Sequence, residues 1–140
     1  MTDNLAHKFP VSVKGVLDLG GKYPLLKNER DEWELPGGKL EPGEDLVECV
    51  TRETCEELNV QAFVVSELNN WLYPVNSTEV VIVTYLLKTE EENPNLVLSH
   101  EHKELGIFTL EEAKQLKMPT GYLKSIEKAE KIRVENLKWI

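Results

Sequence analysis

Three glutamates, Glu53, Glu56 and Glu57, crowd into the run RETCEELNV over residues 52–60, just ahead of an asparagine that reads as a helix end. On a helix turning about 100° per residue, Glu57 lies roughly 40° to one side of Glu53 and Glu56 roughly 60° to the other, so all three share one arc. Like charges at that spacing repel by roughly 0.2–0.5 kcal/mol per pair. The end of a helix also carries the negative pole of the macrodipole, which disfavours acid there. A bound cation offsets both terms. A hard divalent ion takes oxygen ligands, keeps several waters and shares its remaining positions with phosphates, which is the chemistry this arc suits. Taken alone, the same arc also fits a solvated acidic helix face.

Several elements must position these side chains. Asp45 with Glu48 three residues on has the form of a capping box, and Asn59 tolerates the left-handed closing position, so the spacing predicts a helix from about Asp45 to Leu58. Ahead of it, VSVKGVLDLGGKYPLLK predicts two strands joined as a hairpin at Gly20-Gly21, and the glycine-rich bend PGGKLEPGE follows Trp33. After it come two apolar β-rich runs divided at Asn76-Ser77, the second apolar on both faces as a central strand would be. TEEENPN reads as a loop and ELGIF as a short strand; Thr109 and Glu112 start a helix through Leu116. Pro119 introduces a last helix with Tyr122, Leu123, Ile126, Ala129 and Ile132 on one stripe. Strands before, between and after a few helices point to an α/β domain whose mixed sheet is covered on both sides.

Composition narrows the function. The 140 residues suit one domain, 1–140, with a core that needs no staples. A net charge of −9 argues against nucleic acid and anionic membranes as partners, and residues 41–57 hold seven acids against one base, Arg52. An anionic substrate therefore calls for a cation as go-between. Cys49 and Cys55 lie too far apart on one helix to be bridged and read as reduced thiols. With no signal pattern at the start and no apolar run of membrane-spanning length, the expectation is a cytoplasmic protein.

Counting upstream from the acids, Gly38 is followed after five residues by Glu44, after seven more by Arg52-Glu53, and then by Glu56-Glu57. This spacing resembles the Nudix box, G-x5-E-x7-R-E-U-x-E-E-x-G-U with U apolar, and WELPGGKLEPGE is similar to that family's usual lead-in. Six fixed identities would align by chance in a chain of this size roughly once in 10⁵ trials. Thr54 stands where the family has an aliphatic residue and Asn59 where it has glycine; neither supplies a ligand.

The resemblance implies a Nudix-like α/β/α sandwich with a mixed β-sheet. It implies a Mg²⁺- or Mn²⁺-dependent pyrophosphohydrolase cleaving a diphosphate linkage in a nucleoside di- or triphosphate derivative, ADP-ribose-like or NTP. A non-catalytic nucleotide-sensing module is the alternative, and homodimers are frequent in the family. Glu56 and Glu57 are then metal ligands, Glu53 a third ligand or the base that orients water, and Gly37 or Gly38 a carbonyl donor. Arg52 is placed to hold carboxylates through Glu44, Glu48 or Glu56, while Trp33, Gly38 and Glu44 fall on the substrate side. Many members draw a further glutamate from a late loop. SHEHKELGIF offers Glu101, the preferred base, and Glu104; His100 and His102 read as surface residues. Trp33, Trp71, Tyr73 and Tyr122 are the groups available to stack on a base. Pro74 lies one position from the proline of branches acting on adenosine-diphosphate sugars, and the extended lead-in of the dinucleoside-polyphosphate branch is missing.

Overall fold

The computed structural model describes residues 7–99, 102 and 104–138. Strands β1 (Val11–Leu17), β2 (Tyr23–Lys27), β3 (Trp33–Glu34) and β4 (Gly37–Lys39) precede helix α1 (Leu46–Leu58). Strands β5 (Phe63–Val75), β6 (Thr78–Lys88) and β7 (Glu104–Phe108) follow, and then α2 (Leu110–Ala113) and α3 (Thr120–Leu137). One sheet has the order β4-β1-β6-β5, the other β3-β2-β7. The first is mixed: β1 and β6 run parallel, with Val11 beside Val81 and Leu17 beside Leu87, while β4 and β5 are antiparallel additions.

The expected hairpin between β1 and β2 does not form. Gly20 and Gly21 do make the bend at positive φ, and Asp18 Oδ1 accepts from the Gly21 N–H at 2.8 Å. Both edges of β1 are already taken by β4 and β6, so β2 pairs with β3 and β7 in the second sheet. Hairpins form instead between β2 and β3 and between β5 and β6, the latter closed at Asn76, whose φ of 57° is tolerated by asparagine.

Burial follows strand alternation. Val13, Leu17, Val83 and Leu87 pack with Leu26, Cys49, Val50 and Leu58 on the α1 side. Val16, Ile82 and Leu86 pack with Leu25, Leu35, Tyr122, Ile126 and Ala129 on the α3 side. Between β1 and β5, β6 is buried on both faces from Ile82 to Leu87, and the result is the α/β/α sandwich expected. Both predicted caps of α1 are present: the Asp45 side chain accepts from the Glu48 N–H, and Asn59 closes the helix at φ 57° with its N–H on the Cys55 carbonyl. These ends fix which turn of α1 lies over β4. Among the described residues, no helix is long and apolar enough to cross a membrane.

Candidate active site

Strand β4 is the floor on which α1 sets its acids. Gly37 sits at φ 143°, where an added Cβ would meet the Val13 carbonyl oxygen at 2.1 Å, so only glycine allows this approach to β1. A Cβ at Gly38 would lie 2.5 Å from the Glu53 carboxyl carbon. The bare backbone is what lets that carboxylate lie against the strand. Cys49 Sγ, 3.5 Å from the Lys39 carbonyl oxygen, is buried at the same contact, which pushes its thiol up to about 12. A cavity of about 570 Å³ opens here, lined by Gly38, Arg52, Glu53, Glu56, Glu57 and Ser99 among others.

Arg52 ties three carboxylates together. Its Nε and Nη2 donate to the two oxygens of Glu44 at 2.6 and 3.0 Å, and Nη1 reaches Glu53 at 3.1 Å and Glu56 at 3.2 Å. The Arg52 hydrogen bonds, foremost, hold the Glu44 carboxyl at about 2, and Glu44 in turn raises the Arg52 guanidinium. Glu44 thus spends both oxygens on Arg52. Glu48, the other partner expected for Arg52, instead closes the helix start through its N–H.

Glu57 is the exception. It is 5% exposed, and its Oε2 is buried with no hydrogen-bond partner among the described residues. Burial raises its carboxyl to about 7; the charges of Lys14 and His102 and the Gly37 N–H oppose that rise, and Glu53 adds to it. An orphaned buried oxygen in an all-oxygen donor set fits a hard divalent cation, which would displace the proton and satisfy the oxygen. Glu53 and Glu56 line the same cavity as Glu57. Among the described residues, no three His, Cys, Asp or Glu side chains are drawn close enough to form a finished metal cage, and Arg52 pairs with both Glu53 and Glu56.

Several expected residues lie elsewhere. Trp33 is 7% exposed, with its ring edge-on to Phe108 at 5.0 Å; it is a core residue and presents no face to a base. Tyr122 is likewise buried, under Trp71, which packs onto Gly121. Tyr73 lines a separate cleft with Arg30 and Pro74. Glu104 lies in β7 and faces Lys27 at 4.0 Å. Glu101 and His100 fall outside the described residues. His102 is a correction: read as a surface residue, it has a side chain only 9% exposed, with Nε2 2.9 Å from Glu34 Oε1. The two residues are 68 positions apart, and nothing local in the sequence couples them. Burial alone would raise Glu34, but the hydrogen bond from His102, the Lys14 charge and the Asn28 amide hold it at about 2. The Glu34 bond raises the His102 imidazolium in return.

The chain and its fold are similar to known proteins. The NUDIX domain family model covers residues 10–129. The bis(5'-nucleosyl)-tetraphosphatase [asymmetrical] of Mus musculus is 32% identical over 91 residues, 60% of this chain and 60% of that one. The chain thus matches less than two thirds of that relative's length. The E. coli ORF135 protein superimposes at a TM-score of 0.74 with 25% identity, over 91% of this chain and 93% of that one. A C. elegans Ap4A hydrolase binary complex reaches 0.80 with 23% identity, over 90% and 98%.

Proposed function

The chain belongs to the Nudix family, and from that premise we propose that it is a single-domain, cytoplasmic pyrophosphohydrolase. Its substrate is a nucleoside di- or triphosphate derivative, cleaved at a diphosphate linkage with Mg²⁺ or Mn²⁺. The observation that carries this reading is Glu57, a buried carboxylate with an unpartnered oxygen at the wall of an acidic cavity. A fold does not keep such a group without a ligand for it, because a buried unpaired charge is costly.

Glu57, Glu56 and Glu53 would hold the ion, with the Gly38 carbonyl as a further donor. When bound, the ion neutralises charge on the phosphate oxygens and lowers the pKa of water. Arg52 acts through the carboxylates, fixing Glu53 and Glu56 on one side of the cavity while Glu44 anchors the guanidinium. The proton of the attacking water goes to a carboxylate, Glu53 on α1 or Glu101, which lies outside the described residues. Glu104, paired with Lys27, is less suited to that role. Substrate discrimination falls to groups other than Trp33.

The mouse relative's name adds dinucleoside tetraphosphates to the candidates, although the extended lead-in of that branch is missing here. The test is a panel of nucleoside triphosphates, ADP-ribose and dinucleoside polyphosphates with Mg²⁺ or Mn²⁺, following phosphate or pyrophosphate release. Turnover of at least one class, abolished by a chelator, is expected. A protein that binds members of the panel without cleaving any is instead a nucleotide sensor, a reading that the intact set of acids disfavours.

A further inference from the structure

Lys14 is the one charged residue of β1, VSVKGVL, a strand paired on both edges. A lysine seldom sits in such a place without a partner. Its side chain shares the α3-side face of β1 with Val16, whereas Val13 and Leu17 pack towards α1. The partner strand β4 repeats that division: Gly38, opposite Val13, lies against the Glu53 carboxyl, and Gly37, opposite Lys14, turns to the other face. The acids and the lysine therefore flank one edge strand.

The room left at Gly37 is taken by the lysine. A Cβ there would lie 2.9 Å from Lys14 Cδ, so the stem crosses Gly37, which lines the cavity. Two further bonds of about 1.5 Å each keep the ammonium within roughly 6 Å of that point. Lys14 is 8% exposed, and its Nζ makes no hydrogen bond or ion pair with a described residue. Nor is Nζ one of the buried atoms that lack a partner, so the ammonium is open to solvent. Glu34 leaves it free: Oε1 meets His102 Nε2 at 2.9 Å and Oε2 accepts from Asn28 Nδ2 at 3.2 Å. Burying the stem costs side-chain freedom, and a largely desolvated ammonium with no partner costs more; an anionic ligand offsets both.

We propose that Lys14 binds the substrate, its ammonium donating to a phosphate oxygen from the face of β4 opposite Glu53. This rests on the phosphoanhydride-hydrolase reading and adds to it a cation outside the acidic motif. The diphosphate linkage then straddles the two glycines of β4, with carboxylates on one side and the ammonium on the other. Lys14 thereby fixes which phosphate lies away from the acids.

The probe is methylenediphosphonate, which cannot be hydrolysed, titrated calorimetrically into the full chain in excess Mg²⁺. Mn²⁺ binding is followed separately by electron paramagnetic resonance. Lys14→Met keeps the stem and removes the charge, and should lower diphosphonate affinity by roughly tenfold or more. Mn²⁺ should bind that variant as tightly as the parent or tighter, because a cation has left the neighbourhood of the acids. Lys39→Met removes an exposed charge at the same cavity and should cost about fivefold at most. In the unmodified protein, the ε-methylene resonances of Lys14 should shift on saturation with diphosphonate, a readout that does not depend on a variant folding. Undiminished affinity in Lys14→Met, equal losses in the two variants, weakened Mn²⁺ binding in Lys14→Met, or resonances unmoved at saturation each overturn this inference alone. Failure of the unmodified protein to bind Mn²⁺ overturns the metal-dependent hydrolase reading, and the inference with it.

Discussion

Glu56 and Glu57 are neighbours in the chain and on the same helix, yet they belong to opposite halves of the site. The outer half, Glu44, Arg52 and Glu56, is half-open to solvent and saturated with ion pairs; the Glu56 side chain is 58% exposed and held by Arg52 at 3.2 Å. In the inner half Glu57 is buried, and Glu57, Ser99 and His102 each carry a buried atom with no hydrogen-bond partner among the described residues. One residue of helical rotation, about 100°, turns a solvated carboxylate into a desolvated one. Charge pattern along the sequence therefore says where acid is, whereas the packing of α1 on β4 decides which acid is primed for an ion.

The sharpest way to break that comparison is to neutralise each neighbour in turn. Glu57→Gln should lower kcat on the best panel substrate by about 10³-fold, on the order of 4 kcal/mol of barrier. The same change should stabilise the metal-free protein at pH 8, since it removes a buried charge, while Glu56→Gln should leave that stability within about 0.5 kcal/mol of the parent. Equal stability effects for the two would erase the distinction between the halves.

The pH dependence of metal-free stability sharpens it further. The Glu57 carboxyl is raised in the folded protein to about 7 from an ordinary 4.5, so between those values the folded chain holds more protons than the unfolded one. Its contribution is then fully present below pH 4.5 and is lost as pH rises through 7, by about 3 kcal/mol. Saturating Mg²⁺ should remove that loss by displacing the proton. Thermal denaturation from pH 5 to 8, with and without the ion, checks both signs, and Glu57→Gln should flatten the metal-free curve.

On the outer half, Arg52→Lys keeps the charge but loses the fork that spans Glu44, Glu53 and Glu56. A drop in kcat of about 10- to 100-fold, roughly 1.4–2.7 kcal/mol, with little change in KM is expected from loosened carboxylates. A change confined to KM would make Arg52 a substrate contact instead. The smallest effect concerns Thr54, fully buried with an unpartnered Oγ1. Thr54→Val removes the unsatisfied hydroxyl at constant shape and should stabilise by about 1 kcal/mol, read as a rise in Tm of a few degrees.

What was legible in the sequence was local. The caps at Asp45 and Asn59, the arc of acids and the role of Arg52 as a clamp all depend on residues within a few turns of one helix, and helical spacing encodes them directly. Pairing choices were not legible: β1 and β2 read as a hairpin because the Gly20-Gly21 bend is local, whereas the competition of β4 and β6 for the edges of β1 is not. Trp33 looked available to stack because an aromatic type says nothing about which face of a two-residue strand is covered. His102 was misread for the same reason, since its burial depends on Glu34 at the far side of the chain. The acids of α1 in both halves of the site were therefore readable, and the packing of His102 on Glu34 was not.

The most direct measurement is a Mn²⁺ titration of the unmodified protein and of Glu57→Gln near pH 6.5 in weak buffer, following bound ion and released protons together. A saturable site that releases most of one proton per ion, with both the release and the tight binding lost in Glu57→Gln, is the predicted result. Binding of equal affinity in both proteins with no proton release would contradict the claim that Glu57 is kept buried for a cation.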